Sequence, residues 1–376
     1  MKVFVVVAAR PNFMKMKPIV DAFEGHGVDV SLIHTGQHYD PLMSDVFFDE
    51  LGLRKPDHHL GVSGGTVGNQ TGALMVAFET LLESETPDWV VVAGDVNASL
   101  SCAIAGARAG CRVAHVEAGL RSRDWAMPEE LNRVVIDRVS DLLFAPSEDA
   151  VNNLLEEGYR ADQVVLAGNV MIDTLVANLD RAIAMKPWEA LGLEHKNYAV
   201  ATIHRPSNVD EEESLNQICS ILESTASRLP VVFPVHPRTR KSVLALGRDF
   251  PTIKMTEPFG YLGFLGLIAG SRLVLTDSGG IQEETTKLGV PCLTVRENTE
   301  RPVTVTHGTN TLVGRNPQTV LGHVDRVLNN PPEERCPELW DGKAAERIAE
   351  SLLAVDLELF GYPTSLGSAT IDGVHR

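Results

Sequence analysis

Val3-Phe4-Val5-Val6-Val7-Ala8-Ala9-Arg10-Pro11-Asn12 begins with an unbroken apolar run, mostly β-branched, and ends at a cation and a proline. Lack of alternation marks a strand covered on both faces, as in a parallel sheet flanked by helices. Lys15 and Lys17 follow at once, so the run reads as a strand entering a loop and helix, not as a leader with a cleavage site. The same grammar recurs along the chain. Strands are expected at Val28–His34, Trp89–Ala93, Arg112–Val116, Leu142–Ala145 and Gln163–Ala167. A second series covers Tyr198–Ile203, Val231–Val235, Ile253–Thr256, Leu273–Thr276, Cys292–Val295 and Thr311–Val313. Helical patterns lie between them, at Thr66–Leu82, Ser99–Ala109, Glu129–Val139, Glu211–Ser227 and Gly279–Leu288. This β-α-β-α rhythm predicts an α/β protein of two doubly wound, Rossmann-like domains with right-handed crossovers. The seam is expected near Asn169–Lys196, and ligands are expected beyond the carboxyl ends of the strands, where two such edges would enclose one cleft. The tail after Phe360 has no periodicity and reads as loose.

A length of 376 residues suits two domains of similar size. Fifty acidic against 33 basic side chains leave a net charge of −17, which disfavours a broad grip on nucleic acid or an anionic membrane surface. No stretch reaches the length of an apolar membrane span. Five scattered cysteines without a C-x-x-C pair fit a reducing cytoplasm better than a disulfide framework. There is no H-x-x-x-H pair on an expected helix, since His34 and His38 fall at a strand end and in the loop after it, and no Cys/His cluster, so no metal is expected. The chain also lacks a G-x-G-x-x-G fingerprint and a Walker lysine motif, so neither NAD nor ATP has its usual loop.

Chemistry-bearing residues concentrate at the expected strand ends. Asp277-Ser278-Gly279-Gly280 precedes a helix that carries Glu284 one turn in. Glycines there permit close backbone approach, and the N–H groups of the first turn attract phosphate. The plain alternative is a helix cap, since Asp and Ser are ordinary N-cap residues. Arg301, His236, Arg238 and Arg10 tilt the balance toward a nucleoside diphosphate. Asp95, Glu117 and Glu129-Glu130 form a second group, in which Asp95, Glu117 and Glu129 supply three carboxylates on one edge, suited to proton transfer at a sugar carbon. Their plain alternatives are an N-cap for Asp95 and first-turn dipole stabilisation after Pro128 for Glu129. His204, followed by Arg205-Pro206, reads as a rigid loop residue.

Arg10-Pro11 with Lys15, Gly94-Asp95, His115-Val116-Glu117-Ala118-Gly119-Leu120-Arg121, Pro128-Glu129-Glu130-x-Asn132-Arg133, His204-Arg205, Pro234–Pro237, Asp277–Glu284 and Thr299–Pro302 occur in that order. Together they resemble the non-hydrolysing UDP-N-acetylglucosamine 2-epimerases over about residues 1–355. The resemblance implies a GT-B fold, with residues 1–170 as the first domain, 171–354 as the UDP-binding domain, and a helix at about 355–376 crossing back. It implies a cytoplasmic homodimer without a cofactor that interconverts UDP-N-acetylglucosamine and UDP-N-acetylmannosamine, serving polysaccharide or antibiotic sugar synthesis. UDP would be eliminated to leave 2-acetamidoglucal, then re-added. Carried over by motif, Asp95, Glu117 and Glu129 are the acid/base carboxylates, and His204 sits at the pyrophosphate. Arg10, Lys15, His236, Ser278, Gly279, Gly280, Glu284 and Arg301 would hold UDP; Phe264 would line the uracil pocket and Phe259 offer its backbone. The chain departs from the family at Ala8-Ala9, at Asn12, at Val96-Asn97 and at Pro206, which replaces an arginine that helps bind an activating second UDP-sugar in some members. A hydrolysing epimerase, a GT-B glycosyltransferase and an idle UDP-sugar sensor are the alternatives; the carboxylate group argues against the last two.

Overall fold

A computed structural model describes residues 1–8, 10–36, 50–235, 237–246 and 250–355. Two compact units are present: Met1–Gly119 with Asp124–Ala167 and the segment from Ala345 onward, and Gly168–Ala344 with Leu120–Arg123. The expected seam, Asn169–Lys196, therefore lies wholly inside the second unit, as helices α6 (Val170–Ala184) and α7 (Pro187–Ala190) and the turn that follows. The chain passes back to the first unit within helix α15 (Ala344–Leu353); the expected crossing helix at 355–376 and the tail fall almost entirely outside the described residues.

Each unit is built on one parallel sheet. In the first, β1 (Lys2–Val7), β2 (Asp29–His34), β3 (His58–His59), β4 (Trp89–Ala93), β5 (Arg112–Val116), β6 (Leu142–Ala145) and β7 (Val164–Leu166) lie in the order β3-β2-β1-β4-β5-β6-β7. In the second, β8 (Ala199–Thr202), β9 (Val231–Pro234), β10 (Ile253–Thr256), β11 (Leu273–Thr276), β12 (Cys292–Thr294) and β13 (Asn310–Leu312) lie in the order β10-β9-β8-β11-β12-β13. The first six strands of each sheet thus share the dinucleotide-fold order, and the order reverses between β1 and β4 and again between β8 and β11. Register there is Val3↔Trp89 through Val5↔Val91, and Leu273↔Ala199 through Thr276↔Thr202. β4 and β11 are buried end to end and β1 from Val3 to Val7, which explains their unbroken apolar runs. β3 escaped the sequence reading because two residues, both histidine, make no run.

The covering helices follow ordinary rules, with one exception. Thr66 caps α2 (Val67–Ser84) by accepting from Asn69 N–H, and Leu74, Phe78 and Leu82 form its buried stripe. Asn169 caps α6 in the same way. The exception is α4 (Pro128–Val139). It buries Glu130, Arg133 and Asp137 at helical spacing while Leu131 is 52% exposed. An inverted pattern of this kind costs stability unless every buried charge is paired, and it marks a helix shaped by function. No described helix is long and apolar enough to cross a membrane.

Candidate active site

The carboxylate group stands where β4 and β5 end. Asp95 follows Gly94 and precedes helix α3 (Asn97–Arg108), whose N-cap is Val96 and has no side-chain cap bond. The N-cap explanation for Asp95 therefore fails. Its carboxylate instead accepts from Arg133 Nη2, while Arg133 Nη1 donates to Glu130 at 2.8 Å. Asn132 Nδ2 donates to the Asp95 carbonyl at 2.8 Å and to Asn97 Oδ1 at 2.9 Å. The buried polar face of α4 is thus the cradle of Asp95, a role the sequence motif did not disclose.

Glu117 follows β5 with φ 69°, in the left-handed region that a residue with a Cβ enters at a cost of about 1–3 kcal/mol. It is buried, and Lys15, on helix α1 (Arg10–Gly25), donates to its Oε2. Its other oxygen, Oε1, is buried with no hydrogen-bond partner among the described residues. Gly94 lies against this ion pair: a Cβ there would meet Lys15 Nζ at 3.0 Å and Glu117 Oε2 at 3.2 Å. Asn12 Nδ2 and Ser99 Oγ both donate to the Ala93 carbonyl, tying α1 and α3 to the end of β4. Lys15, expected on UDP, thus sits with the carboxylates. Glu129 is exposed in the first turn of α4 beside Pro128, where dipole stabilisation also suits it. His236 and the Arg10 side chain lie outside the described structure.

In the second unit the Asp277–Gly280 turn joins β11 to helix α12 (Gly279–Lys287). Ser278 is the N-cap but makes no side-chain cap bond, so the first-turn N–H groups have no hydroxyl over them. Asp277 does not cap either. It is fully buried and accepts from the backbone N–H groups of His204 and Arg205, at 3.0 and 2.9 Å, and from Asn208 Nδ2 at 2.9 Å. His204 Nδ1 lies 3.0 Å from its other oxygen. Burial opposes its charge, but the hydrogen bond and charge of His204, with the N–H of Arg205, outweigh that and hold the carboxyl below its ordinary range. Asp277 is therefore the fastener of the His204–Asn208 loop.

Arg301 lies over Gly279. Its Nε is 2.8 Å from Glu283 and its Nη1 donates to Glu300 at 2.7 Å. Glu300 also accepts from Arg296 at 2.8 Å and from Arg205 at 3.4 Å. Burial opposes the Glu300 charge; Arg301, Arg296 and Arg205 override it and hold the carboxyl well below the usual carboxylate range. Three guanidinium groups thus share two carboxylates beside an uncapped helix N-terminus, which leaves local positive charge for an anion. Arg296 was not singled out in the sequence, and Arg205 was quoted only as part of the His204-Arg205 motif, with no role of its own. Behind this cluster Gln282 Oε1 accepts from Thr299 Oγ1 at 2.7 Å and from Asn310 Nδ2 at 3.0 Å, fixing the Arg301 loop to α12.

Beside it a cavity of about 360 Å³ is lined by Thr202, Ile203, His204, Pro234, Thr239, Pro258, Phe259 and Phe264. Its size falls in the usual range for small-molecule sites, about 300–1,000 Å³, and its aromatic and proline walls suit a flat ring. Phe259, Phe264 and His204 all line it. Glu284 is buried, and burial together with neighbouring Glu283 pushes its carboxyl up to about 8. An unfolded carboxyl ionises near pH 4.5, so between pH 4.5 and 8 the unfolded chain holds fewer protons than the folded one. Stability then falls as pH rises through that window and levels off above it. Glu284→Gln should remove this loss, raising Tm at pH 8 by several degrees (on the order of 2–4 kcal/mol) with the gain shrinking toward pH 4.5. Calorimetry across that range checks it; a gain independent of pH would refute the assignment.

The sequence model of the UDP-N-acetylglucosamine 2-epimerase family matches residues 21–353. A UDP-N-acetylglucosamine 2-epimerase of Methanocaldococcus jannaschii is 41% identical over 94% of this chain and 99% of its own. The crystal structure of the M. jannaschii UDP-GlcNAc 2-epimerase in complex with UDP-GlcNAc and UDP superposes with a TM-score of 0.85, at 40% identity, over 94% of this chain and 99% of that one. A UDP-2,3-diacetamido-2,3-dideoxy-D-glucuronate 2-epimerase of Pseudomonas aeruginosa is 38% identical over 94% of this chain and 99% of its own. With two Rossmann-like units of the GT-B type and these matches over nearly its whole length, the chain belongs to the UDP-N-acetylglucosamine 2-epimerase family.

Proposed function

We propose that this epimerase interconverts UDP-N-acetylglucosamine and UDP-N-acetylmannosamine by eliminating and re-adding UDP. The observation that carries the reading is Glu117, a buried carboxylate with one oxygen on Lys15 and the other unclaimed. The ring cavity of the second unit takes uracil, Glu284 the ribose, and the α12 N-terminus with Arg301 the diphosphate. The sugar engages Asp95, Glu117 and Glu129. One carboxylate takes the C2 proton, the C2–H electrons form the C1=C2 bond, and the C1–O electrons leave with UDP. Returning a proton to the opposite face of C2, as UDP re-adds at C1, inverts that carbon without a redox cofactor. Positive groups around the diphosphate stabilise the departing charge, a contribution of about 10²–10³-fold per well-aimed donor. A positioned acid or base adds about 10²–10⁴-fold.

Incubation with UDP-N-acetylglucosamine in D2O, with no nicotinamide and no acceptor, tests the activity. UDP-N-acetylmannosamine carrying deuterium at C2 supports it; free N-acetylmannosamine points to hydrolysis, and no exchange without an acceptor refutes it. The P. aeruginosa relative supplies a second reading, in which the preferred sugar is a diacetamido uronate; the same assay with that sugar ranks the two.

The active form is a homodimer in this proposal. Helix α2 exposes Gly72, Ala73 and Val76 on one face, with Val76 63% exposed, which suits closure against a second copy. Val76→Asp should shift the mass seen by light scattering from dimer to monomer; a wild-type monomer would contradict the proposal.

A further inference from the structure

His115 and Asp137 are both fully buried in the first unit, one inside β5 and the other on α4. His115 pairs in register with Val92 on one side and Leu143 on the other, among residues that are otherwise aliphatic. An aliphatic side chain would fill that layer without the desolvation that two polar groups impose. What the pair does instead is join two strand ends. His115 Nε2 lies 3.1 Å from the Gly94 carbonyl, which can only accept, so Nε2 carries the hydrogen. Nδ1 lies 2.6 Å from Asp137 Oδ1, so a hydrogen must lie between these two atoms as well, and Asp137 Oδ2 accepts from the Gly119 N–H at 3.2 Å. Gly94, Glu117 and Gly119 all have left-handed backbones, with φ of 63°, 69° and 79°. The couple therefore grips the residue before Asp95 and the residue two beyond Glu117. A non-glycine residue in that conformation persists only where its surroundings over-determine it. Gly119 is held from the other side too: a Cβ there would lie 2.3 Å from the Ala150 carbonyl oxygen, and Asn153 Nδ2 donates to its carbonyl at 2.9 Å.

We propose that His115 and Asp137 act as a positioning couple, setting the loops that carry Asp95 and Glu117 for proton transfer at the sugar without touching the nucleotide. The inference rests on the reading of those carboxylates given above. The couple works through geometry and not as a proton relay, which separates the substitutions. In Asp137→Asn the amide can donate to Nδ1 while its oxygen keeps the Gly119 N–H and Nε2 keeps Gly94. Asp137→Leu removes the Gly119 link and the partner of Nδ1, and His115→Phe removes the Gly94 link, so either one breaks the bridge between the two strand ends.

Two measurements test it. For C2 exchange, His115→Phe and Asp137→Leu should each lower kcat about 10²-fold, the typical cost of misplacing a catalytic group by an ångström, with UDP affinity and KM within about threefold. Asp137→Asn should stay within about threefold of wild type, and the double variant His115→Phe/Asp137→Leu should be no worse than either single one. Loss of activity in Asp137→Asn as deep as in Asp137→Leu, or a parallel fall in UDP affinity, would overturn the proposal. Histidine-labelled ¹⁵N NMR of the nucleotide-free protein is independent of activity. A His115 ring whose Nε2 hydrogen is held in place in wild type and in Asp137→Asn, with a second hydrogen shared between Nδ1 and the carboxylate in wild type alone, supports the couple, and an Nε2 hydrogen that averages between ring positions overturns it. Should the wild type exchange no C2 hydrogen, the enzymatic reading falls while the NMR result still judges the geometry.

Discussion

Glu117→Gln is expected to reduce C2 exchange by about 10²–10⁴-fold while UDP binds almost as before. The substitution keeps the size of the side chain and its left-handed backbone, but an amide cannot take up a proton, and the ion pair with Lys15 is lost. The ring cavity, Glu284 and the α12 N-terminus with Arg301, to which the nucleotide is assigned, belong to the second unit, so nucleotide affinity has no direct reason to change. Titration calorimetry with UDP and NMR of C2 exchange separate the two effects. A loss of UDP affinity beyond about tenfold would mean that Glu117 holds the nucleotide and that the proton-transfer role is misassigned.

Gly279→Ala is expected to cost nucleotide affinity instead. A Cβ at this position would lie 2.5 Å from Arg301 Nη1 and 2.7 Å from Glu300 Oε1, both anchored in the charge cluster. Arg301 must move, and with it the positive lid over the α12 N-terminus. Loss of one charge-assisted hydrogen bond, about 1.5–3 kcal/mol, corresponds to roughly tenfold to hundredfold weaker UDP binding. Gly280→Ala is the contrast. Nothing lies within 4 Å of a Cβ at Gly280, and alanine in a helix is about 0.5–1 kcal/mol better than glycine. That variant should melt slightly higher, so any fall in its UDP affinity reports phosphate lying on the Gly280 backbone. Unchanged affinity in Gly279→Ala would remove the diphosphate from this helix end.

Most of the architecture was legible because buried parallel strands advertise themselves: all twelve expected strands are present, and each begins within one residue of its observed start. The candidate site was legible only as residue types at strand ends. Position along the chain said where Asp95 and Asp277 are, but not what they hold. A helix cap was the plain alternative for both, and neither caps a helix; Asp95 is held by Arg133, and Asp277 holds the His204–Asn208 loop. The inward face of α4 was hidden for a physical reason. Periodicity arguments sort apolar residues inward, and here Arg133 and Asp137 are inside because Asp95 and His115, brought from far along the chain, pair with them, while Glu130 pairs with Arg133 one turn on. The same holds for the three guanidinium groups around Glu300, whose partners converge only once β8, β12 and the loop before helix α13 (Val303–Thr306) are folded together.

Breaking of the C1–O bond is the step on which the mechanism turns, and labelling the bridging oxygen between C1 and the β-phosphorus of UDP-N-acetylglucosamine with ¹⁸O tests it. Once UDP is detached, its terminal phosphate oxygens become equivalent by rotation. The proposed elimination requires the label to appear in non-bridging positions, seen by ³¹P NMR, at least as fast as the epimer forms. Epimer that accumulates with the label still wholly in the bridge would mean that UDP never left.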